Sequence, residues 1–171
     1  VDAAGKLVAW EMHNYNSGGS AIRTLYEAPN QRIEFHPGRS PLRQGSYRGL
    51  AATANHFARE SQMDEITAAV GVDPLEFRRA LMKNHPKHLG VLNAAAEKAG
   101  WGKPLPAGVY RGLAQFMGYA SYVAAVAEVS VKGGEVKVHR MVLATNCGHA
   151  VNPATIAAQV ASGGDGRALL T

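Results

Sequence analysis

Two adjacent glycines separate two long runs of alternating residues in the second half of the chain. The runs, Tyr122 to Lys132 and Glu135 to Ala144, are rich in valine, and Gly133-Gly134 lies between them. Because glycine adopts the positive φ values of a two-residue turn without steric cost, this pattern predicts an antiparallel hairpin. The turn also predicts the register, with two buried pairs and two exposed pairs: Val131–Val136 and Val129–Val138 buried, Lys132–Glu135 and Ser130–Lys137 exposed.

The remaining segments give an order of strands first, then helices, then antiparallel strands. Further strands are predicted at Lys6–Trp10, Arg32–His36 and Val109–Met117 from their composition and period-two patterns. Helices are predicted at Asn55–Val70, Pro74–Lys83, Lys87–Ala99 and from Pro153 through Val160. Asp73 is the expected N-cap of the second helix, and Gly71 and Gly100 are the expected C-caps of the first and third. The predicted class is α+β, with helices packed on a mostly antiparallel sheet.

Length, charge and cysteine content exclude several classes of protein. A chain of 171 residues is long enough for one domain or two small ones, and its single cysteine, Cys147, cannot build a disulfide framework or ligate an iron–sulfur cluster alone. The net charge of +5 is spread over short pairs such as Arg78-Arg79, so we expect no nucleic-acid partner. No apolar run is long enough for a direct membrane span. Compartment is not indicated, with bacterial cytoplasm and periplasm both open.

Histidine and cysteine chemistry gives no strong metal or nucleophile signal. The seven histidines include no helical i, i+4 pair and no cysteine partner at zinc spacing, so we expect them to be solvent-exposed or hydrogen-bonded, and we predict no metal site. Cys147 is two residues from His149, which allows a nucleophilic thiolate, but a buried thiol is the commoner role of a single cysteine.

Two glycine-containing loops lead into predicted helix N-termini. Gln44 to Ala52 precedes the first helix, and Cys147 to Pro153 precedes the last one. Main-chain amides and the positive end of a helix dipole could bind an anion or an oxo group at either loop, and Arg48 adds a planar cationic donor. A purely structural turn is the alternative for both loops.

Several separated motifs resemble one enzyme family, in the order in which that family has them. The motifs are Gly45-Ser46-Tyr47-Arg48-Gly49 with Glu60, Asp73 to Arg79, Ala94 to Trp101, Val126 to Val129, and Asn146 to Pro153 with Gln159-Val160. Together they resemble the molybdopterin-binding large (beta) subunit of the xanthine dehydrogenase and aldehyde oxidase family. The nearest branch contains the isoquinoline 1-oxidoreductase beta subunit and membrane-bound aldehyde dehydrogenases.

The resemblance implies part of a molybdenum hydroxylase that oxidises an aldehyde or an N-heterocycle with water-derived oxygen. It implies a molybdopterin cofactor, in bacteria usually the cytosine dinucleotide form, and two partners: a [2Fe–2S] small subunit and the remainder of the large subunit. By the same resemblance, the backbone around Tyr47, Arg48 and Gly49 approaches the molybdenum ligands, Leu50 faces the substrate, and Gln159 hydrogen-bonds the pterin. A non-enzymatic α+β scaffold or interaction domain is the alternative function.

The sequence also departs from the family pattern. Ala52-Thr53-Ala54, with Asn55 beyond, replaces a Gly-Gly-Pro-Gln segment, so the pterin-contacting glutamine of that segment is absent. Neither the family's catalytic glutamate motif nor its Gly-Gln-Gly segment occurs in these 171 residues. We therefore expect a fragment that is inactive alone and carries no catalytic residue. We expect residues 1–161 to form a partial molybdopterin-binding domain and residues 162–171 a linker-like tail, for which one interpretation is an engineered or substituted origin.

Overall fold

A computed structural model describes residues 1–162 and 168–170 of the chain. Its elements, in chain order, are β1 (Ala9–Tyr15), β2 (Asn30–His36), α1 (Ala52–Val70), α2 (Pro74–Ala80), α3 (Pro86–Ala99), β3 (Val109–Gly118), β4 (Ser121–Lys132), β5 (Glu135–Asn146), α4 (Pro153–Ser162) and β6 (Ala168–Leu170). They divide between two compact units, Val1–Asn84 and His85–Thr171. None of the helices in the described ranges has the length and apolar character needed to cross a bilayer.

The N-terminal unit contains a two-stranded parallel sheet and two helices. Strand β1 pairs with β2 from Ala9 opposite Asn30 to Tyr15 opposite His36. The prediction of a first strand at Lys6–Trp10 is too early, because the observed strand begins at Ala9 and continues to Tyr15. Its later residues include charged and polar side chains that lie opposite β2, and their composition does not resemble that of a typical strand.

Helix α1 buries a polar face. It begins at Ala52, three residues earlier than predicted, and ends at Val70, followed by Gly71, which has a φ of 68° as expected of an αL cap. Met63 is fully buried, but Phe57, whose helical spacing predicts burial, is 76% exposed. The buried positions are mostly polar or charged: Asn55, His56, Arg59, Glu60 and Thr67, together with Ala52 and Met63.

Helix α2 begins as the sequence predicts and ends earlier. The Asp73 carboxylate accepts hydrogen bonds from the amides of Leu75 and Glu76, at 2.9 and 3.0 Å, and Pro74 occupies the first turn. The helix ends at Ala80 instead of Lys83. Arg78, in its last turn, has no solvent exposure, so the buried contacts of this side chain help to stabilise the short helix.

The C-terminal unit is a helix-covered sheet of order β3-β4-β5-β6. The first three strands are antiparallel, and β6 is parallel to β5. Helix α3 packs mainly against β4 and β5 and ends at Gly100, whose φ is 71°. Alternate strand residues that share a row of the register are buried, including Leu113, Val126 and Val142. The α+β class with a mostly antiparallel sheet is confirmed.

The predicted register of the hairpin is confirmed, but its predicted buried face is wrong. Val131 pairs with Val136 and Val129 with Val138, with Gly133 and Gly134 at φ values of 59° and 82°. Yet Val131, Val136 and Val138 are 58%, 66% and 43% exposed. The register shifts at Glu128/Val129. Val126 and Glu128, on the side of β4 that packs against α3, lie at even positions, whereas Val129 and Val131 lie at odd positions, so the paired valines belong to the opposite face of the sheet.

An arginine and glutamate cluster marks the level at which α3 ends. Arg111, Glu128 and Arg140 are adjacent in one row of the sheet. Arg111 donates to the carbonyl of Gly100 at 2.9 Å and to Glu128 at 2.8 Å, and Arg140 donates to the carbonyl of Lys98 at 2.8 Å. The two guanidinium groups thus satisfy carbonyls at the C-terminus of α3, where cations are favoured by the helix dipole.

The predicted tail lies only partly within the described residues. Residues 168–170 form β6, which pairs with Leu143, Ala144 and Thr145 of β5. Residues 163–167 and 171 lie outside the described ranges, and with them most of the predicted linker.

Candidate functional site

The loop centred on Arg48 forms a tight turn at the entrance to α1. The Leu50 amide donates to the Tyr47 carbonyl at 2.8 Å, closing a turn over residues 47–50. Gly49 has a φ of 89°, and a Cβ added there would be 2.7 Å from Thr53 Oγ1, so only glycine fits this position. Leu50 also has a positive φ, 55°, which is uncommon for a residue with a branched side chain. Strain of this kind concentrates at functional sites, because the surrounding structure must hold it.

This turn and the loop after β1 line one cleft of about 670 Å³. Its size is within the usual range for small-molecule and cofactor sites. Tyr47 and Leu50, two of the predicted site residues, line the cleft, while Arg48 is exposed in the same turn. The full lining is uncharged and is contributed by residues 17–20 and 45–57: Ser17, Gly18, Ser20, Gly45, Ser46, Tyr47, Leu50, Ala51, Thr53, Ala54 and Phe57.

Asn55 fixes the second wall of the cleft. Its side chain is buried, and Nδ2 donates to the carbonyls of Gly18 at 3.1 Å and Ser20 at 2.9 Å. Oδ1 accepts a hydrogen bond from Nδ2 of Asn14, at the end of β1. Gly18 approaches α1 so closely that an added Cβ would be 2.9 Å from the Ala51 Cβ. Asn55 therefore holds the 17–20 loop in place instead of contacting a ligand.

The floor of the cleft is the N-terminus of α1. The residue before this helix, Ala51, offers no side-chain cap, and the first turn contains no acidic residue. Thr53 and Ala54, in that first turn, line the cleft. The first amides of a helix have no carbonyl partner within it, and they favour negative charge through the helix dipole. The cleft thus combines main-chain donors with the hydroxyl groups of serine and threonine.

A buried ion cluster further along α1 holds this helix to α2. Both Glu60 oxygens are 3.0 Å from the Tyr26 hydroxyl, and Glu60 Oε2 accepts from Arg78 Nε at 3.1 Å. Arg78 also bonds Asp64 at 2.8 Å. Burial opposes the charge of Arg78, but Tyr26, Glu60 and Asp64 together outweigh it and raise the pKa of this guanidinium above its ordinary value. Glu60, which the sequence offers only as a motif residue, therefore has a structural role in positioning α1.

Arg59 connects the same cluster to the loop that follows the cleft wall. It is 1% exposed, contacts Glu60 at 3.4 Å, and donates to the carbonyls of Ala21 and Arg23 at 3.3 Å. The polar face of α1 is thus a scaffold for residues 18–23. This explains why a face of this composition is buried.

The second predicted loop belongs to the C-terminal unit. The Gly148 amide donates to Asn146 Oδ1 at 3.1 Å, and Asn152 caps α4 through a bond from the Thr155 amide at 3.1 Å, as predicted. Gln159 is exposed on α4, and Cys147 is half-buried as a free thiol instead of fully buried. Because Arg48 and Gln159 lie in different units, the expectation that residues of both loops contact one cofactor stays a prediction.

Sequence reasoning missed one wall of the cleft. The composition of residues 14–20 predicts a loop and nothing more, and the helical spacing of Phe57 predicts a place in the core. In the structure Ser17, Gly18 and Ser20 form that wall, and Phe57 is exposed beside it. The only signal for this wall is its content of glycine and serine, which does not distinguish a binding loop from an ordinary one.

Comparison with known proteins decides the family of the chain. A family model described as a molybdopterin cofactor-binding domain matches residues 22–164, which include both predicted loops. The chain belongs to this family. It is also 32% identical over 154 residues to a subunit of nicotinate dehydrogenase from Pseudomonas putida, and 31% identical over 144 residues to the beta subunit of isoquinoline 1-oxidoreductase from Brevundimonas diminuta.

These relatives are much longer than this molybdopterin-binding domain. The two alignments cover 79% and 81% of the chain, but only 13% and 18% of the respective relatives. The chain thus spans less than a fifth of the length of either relative. The resemblance to isoquinoline 1-oxidoreductase beta subunits and the assignment to an oxidoreductase family with a molybdopterin cofactor are confirmed.

Proposed function

We propose that the chain supplies part of the cofactor site in the large subunit of a molybdenum hydroxylase. The observation that carries this proposal is the cleft: Tyr47 and Leu50 of the Arg48 turn line it together with the N-terminus of α1. That turn lies within the range matched by the family model.

The lining of the cleft fits a molybdopterin. A pterin with a dithiolene and a phosphate presents hydrogen-bond acceptors and negative charge, and the cleft offers main-chain amides, hydroxyls and a helix N-terminus without a competing carboxylate in its lining. Gly49 allows the backbone of the turn to pack against Thr53. In this proposal the main chain of Tyr47, Arg48 and Gly49 binds the cofactor near its metal, and the exposed Arg48 adds positive charge.

Leu50 and Gln159 have separate roles in the proposal. Leu50 borders the cleft with 41% of its surface exposed, which suits an apolar contact to substrate. Gln159 is exposed on α4, so its amide is accessible for hydrogen bonding to the pterin. Both roles come from the family resemblance, and the cytosine dinucleotide is the cofactor form that it implies.

When bound, the cofactor supplies oxidative hydroxylation of an electrophilic carbon with oxygen from water, and two electrons leave through a [2Fe–2S] small subunit. The names of the two relatives refer to nicotinate and isoquinoline, so an N-heterocycle is favoured over an aldehyde as the substrate class. The residues of this chain bind and orient, because the sequence contains no catalytic glutamate motif. We therefore expect the isolated chain to be inactive.

The test substitutes Arg48→Ala in the large subunit that contains this chain and measures molybdenum content, released pterin and turnover. We expect both cofactor content and turnover to fall. Arg43→Ala is the matched control, since Arg43 is also exposed in the same segment but lies outside the turn, and it should leave all three values unchanged. Unchanged cofactor content and turnover in the Arg48 variant would reject the proposal that the Arg48 side chain helps to bind the cofactor.

A further inference from the structure

The exposed face of the parallel sheet brings together two histidines and three charged residues. Glu11 and His13 of β1 alternate with buried Trp10 and Asn14, and Arg32, Glu34 and His36 alternate along β2. In the register, His13 is opposite Glu34. Because β1 and β2 are parallel, their C-terminal ends lie side by side, and His13, Glu34 and His36 are all near those ends.

Three ligand atoms of this group converge on one point. His13 Nδ1 is 2.8 Å from His36 Nε2, and Glu34 Oε2 is 3.6 Å from the first nitrogen and 3.5 Å from the second. Atoms that ligate one zinc ion at 2.0–2.1 Å with angles of about 90–110° lie roughly 2.9–3.4 Å apart. The three observed separations define a circle of about 1.9 Å radius, so an ion placed just above their plane reaches all three atoms at ordinary bond lengths.

We propose that His13, Glu34 and His36 bind a divalent first-row transition metal ion, Zn²⁺ above all. Imidazole nitrogens with one carboxylate suit such ions, whereas Mg²⁺ and Ca²⁺ prefer oxygen ligands alone. The site is distinct from the cleft described above, because none of its three residues lines that cleft. His13 also lies outside the range matched by the family model, which begins at residue 22.

The neighbouring residues orient the ligands as they do in metal sites. Glu11 Oε1 accepts a hydrogen bond from His13 Nε2 at 2.8 Å, which leaves the lone pair of His13 Nδ1 directed toward the site. Arg32 Nε donates to Glu34 Oε1 at 2.8 Å, so Oε2 is the oxygen available to a metal. Tyr15 stacks on the His36 ring with centroids 4.6 Å apart and limits its rotation.

Charge and access also favour a cation. Two carboxylates, Glu11 and Glu34, and one guanidinium, Arg32, surround the two imidazole rings, so the fixed charges of the group sum to −1. The side chains of His13, Glu34 and His36 are 25%, 39% and 37% exposed, so an ion can enter and complete its coordination with water. Binding would replace the hydrogen bond between the two rings, because a metal ion takes the lone pairs of both His13 Nδ1 and His36 Nε2.

The test titrates Zn²⁺ into the tag-free 171-residue chain after removal of metals with a chelator. Calorimetry should show one equivalent bound, and imidazole NMR resonances of His13 and His36 should shift with that same equivalent, whereas Mg²⁺ should cause no shift. His36→Ala and Glu34→Gln should abolish or strongly weaken binding. Glu11→Gln should weaken it by roughly tenfold, because this residue orients a ligand without being one.

His149→Ala is the matched control, since His149 is an exposed histidine of the other unit, and binding should be unchanged. Circular dichroism checks that each variant is folded, and the NMR shifts of the unsubstituted chain test the site independently of any variant. The proposal is overturned if the unsubstituted chain binds no Zn²⁺, if the shifted resonances belong to other histidines, or if a folded His13→Ala/His36→Ala variant binds as the control does.

Discussion

Replacing Glu60 with glutamine removes the negative charge from the buried cluster that joins α1 to α2. Glutamine keeps the size of the side chain and one oxygen acceptor, so the change tests charge and not packing. Glu60 is 5% exposed, and its oxygens bond Tyr26 and two arginines, Arg59 and Arg78, that are 1% and 0% exposed. The variant leaves both guanidinium groups buried with less compensation.

The expected loss of stability follows from what remains around Arg78. Breaking a buried ion pair by removing one partner costs about 3–5 kcal/mol, because the other charge stays buried. Asp64 is still 2.8 Å from Arg78 Nη2 in the variant, so we expect the lower end, about 3 kcal/mol. With an m-value of about 1.5 kcal/mol/M, the urea midpoint of the N-terminal unit should fall by roughly 2 M.

The chain's two tryptophans allow the N-terminal unit to be followed alone. Trp10 lies in the N-terminal unit and Trp101 in the C-terminal one, so a Trp101→Phe background makes fluorescence report on the N-terminal unit. Asp64→Asn is the control: Asp64 is 49% exposed, so solvent screens its ion pair and the loss should stay under about 1 kcal/mol. A Glu60→Gln variant as stable as the Asp64 control would refute the reasoning that buried charge dominates here.

Three further variants or titrations test the fold. Asp73→Ala removes the cap that bonds two amides of α2, so the free energy of unfolding of the N-terminal unit should fall by about 1 kcal/mol, and an unchanged urea midpoint would contradict the cap. Glu128→Gln weakens the charged bonds from Arg111, so Trp101 fluorescence should report a loss of about 1–3 kcal/mol in the C-terminal unit, and none if the cluster is dispensable. A hydrogen bond with His13 lowers the pKa of Glu11, and one from Arg32 lowers that of Glu34, both from an ordinary 4.5. The folded chain then binds fewer protons than the unfolded chain, so the stability that these two carboxylates contribute is present above pH 4.5 and is lost as the pH falls below it. An NMR titration of the carboxyl groups, with a chelator present to remove metal ions, should give both pKa values below 4.5. Ordinary pKa values would refute the contacts.

The candidate site could be predicted in part. The Arg48 turn is identified from its glycines and from its resemblance to a family, and the structure places Tyr47 and Leu50 on a cleft. The opposite wall, at residues 17–20, is joined to α1 through Asn55, a contact between residues more than thirty positions apart. No local pattern encodes such a contact, so the wall could not be predicted.

The group at His13, Glu34 and His36 also depends on contacts between residues far apart in sequence, so the sequence could not predict it. The sequence predicts no metal site, because its histidines show none of the helical or cysteine spacings on which such predictions depend. Parallel pairing of β1 with β2 brings residues 13 and 36 to 2.8 Å, and pairing across a parallel sheet has no fixed spacing in the chain.

The amino-acid sequence alone determined the turns and helix ends, because the residues that form each of them are within a few positions of one another. Gly133-Gly134 fixed the hairpin register, Asp73 fixed the start of α2, and Gly71 and Gly100 fixed two helix ends, because turns and caps are set by φ and by adjacent hydrogen bonds. Tertiary structure decided which faces are buried. Val131 and Val136 are exposed because they lie on the face of the sheet opposite α3, while Arg59, Glu60 and Arg78 are buried because, together with Asp64, they form an ion cluster without net charge. Burial depends on what packs against a residue, and the contacts of Arg59 with Ala21 and of Arg78 with Glu60 join different segments of the chain.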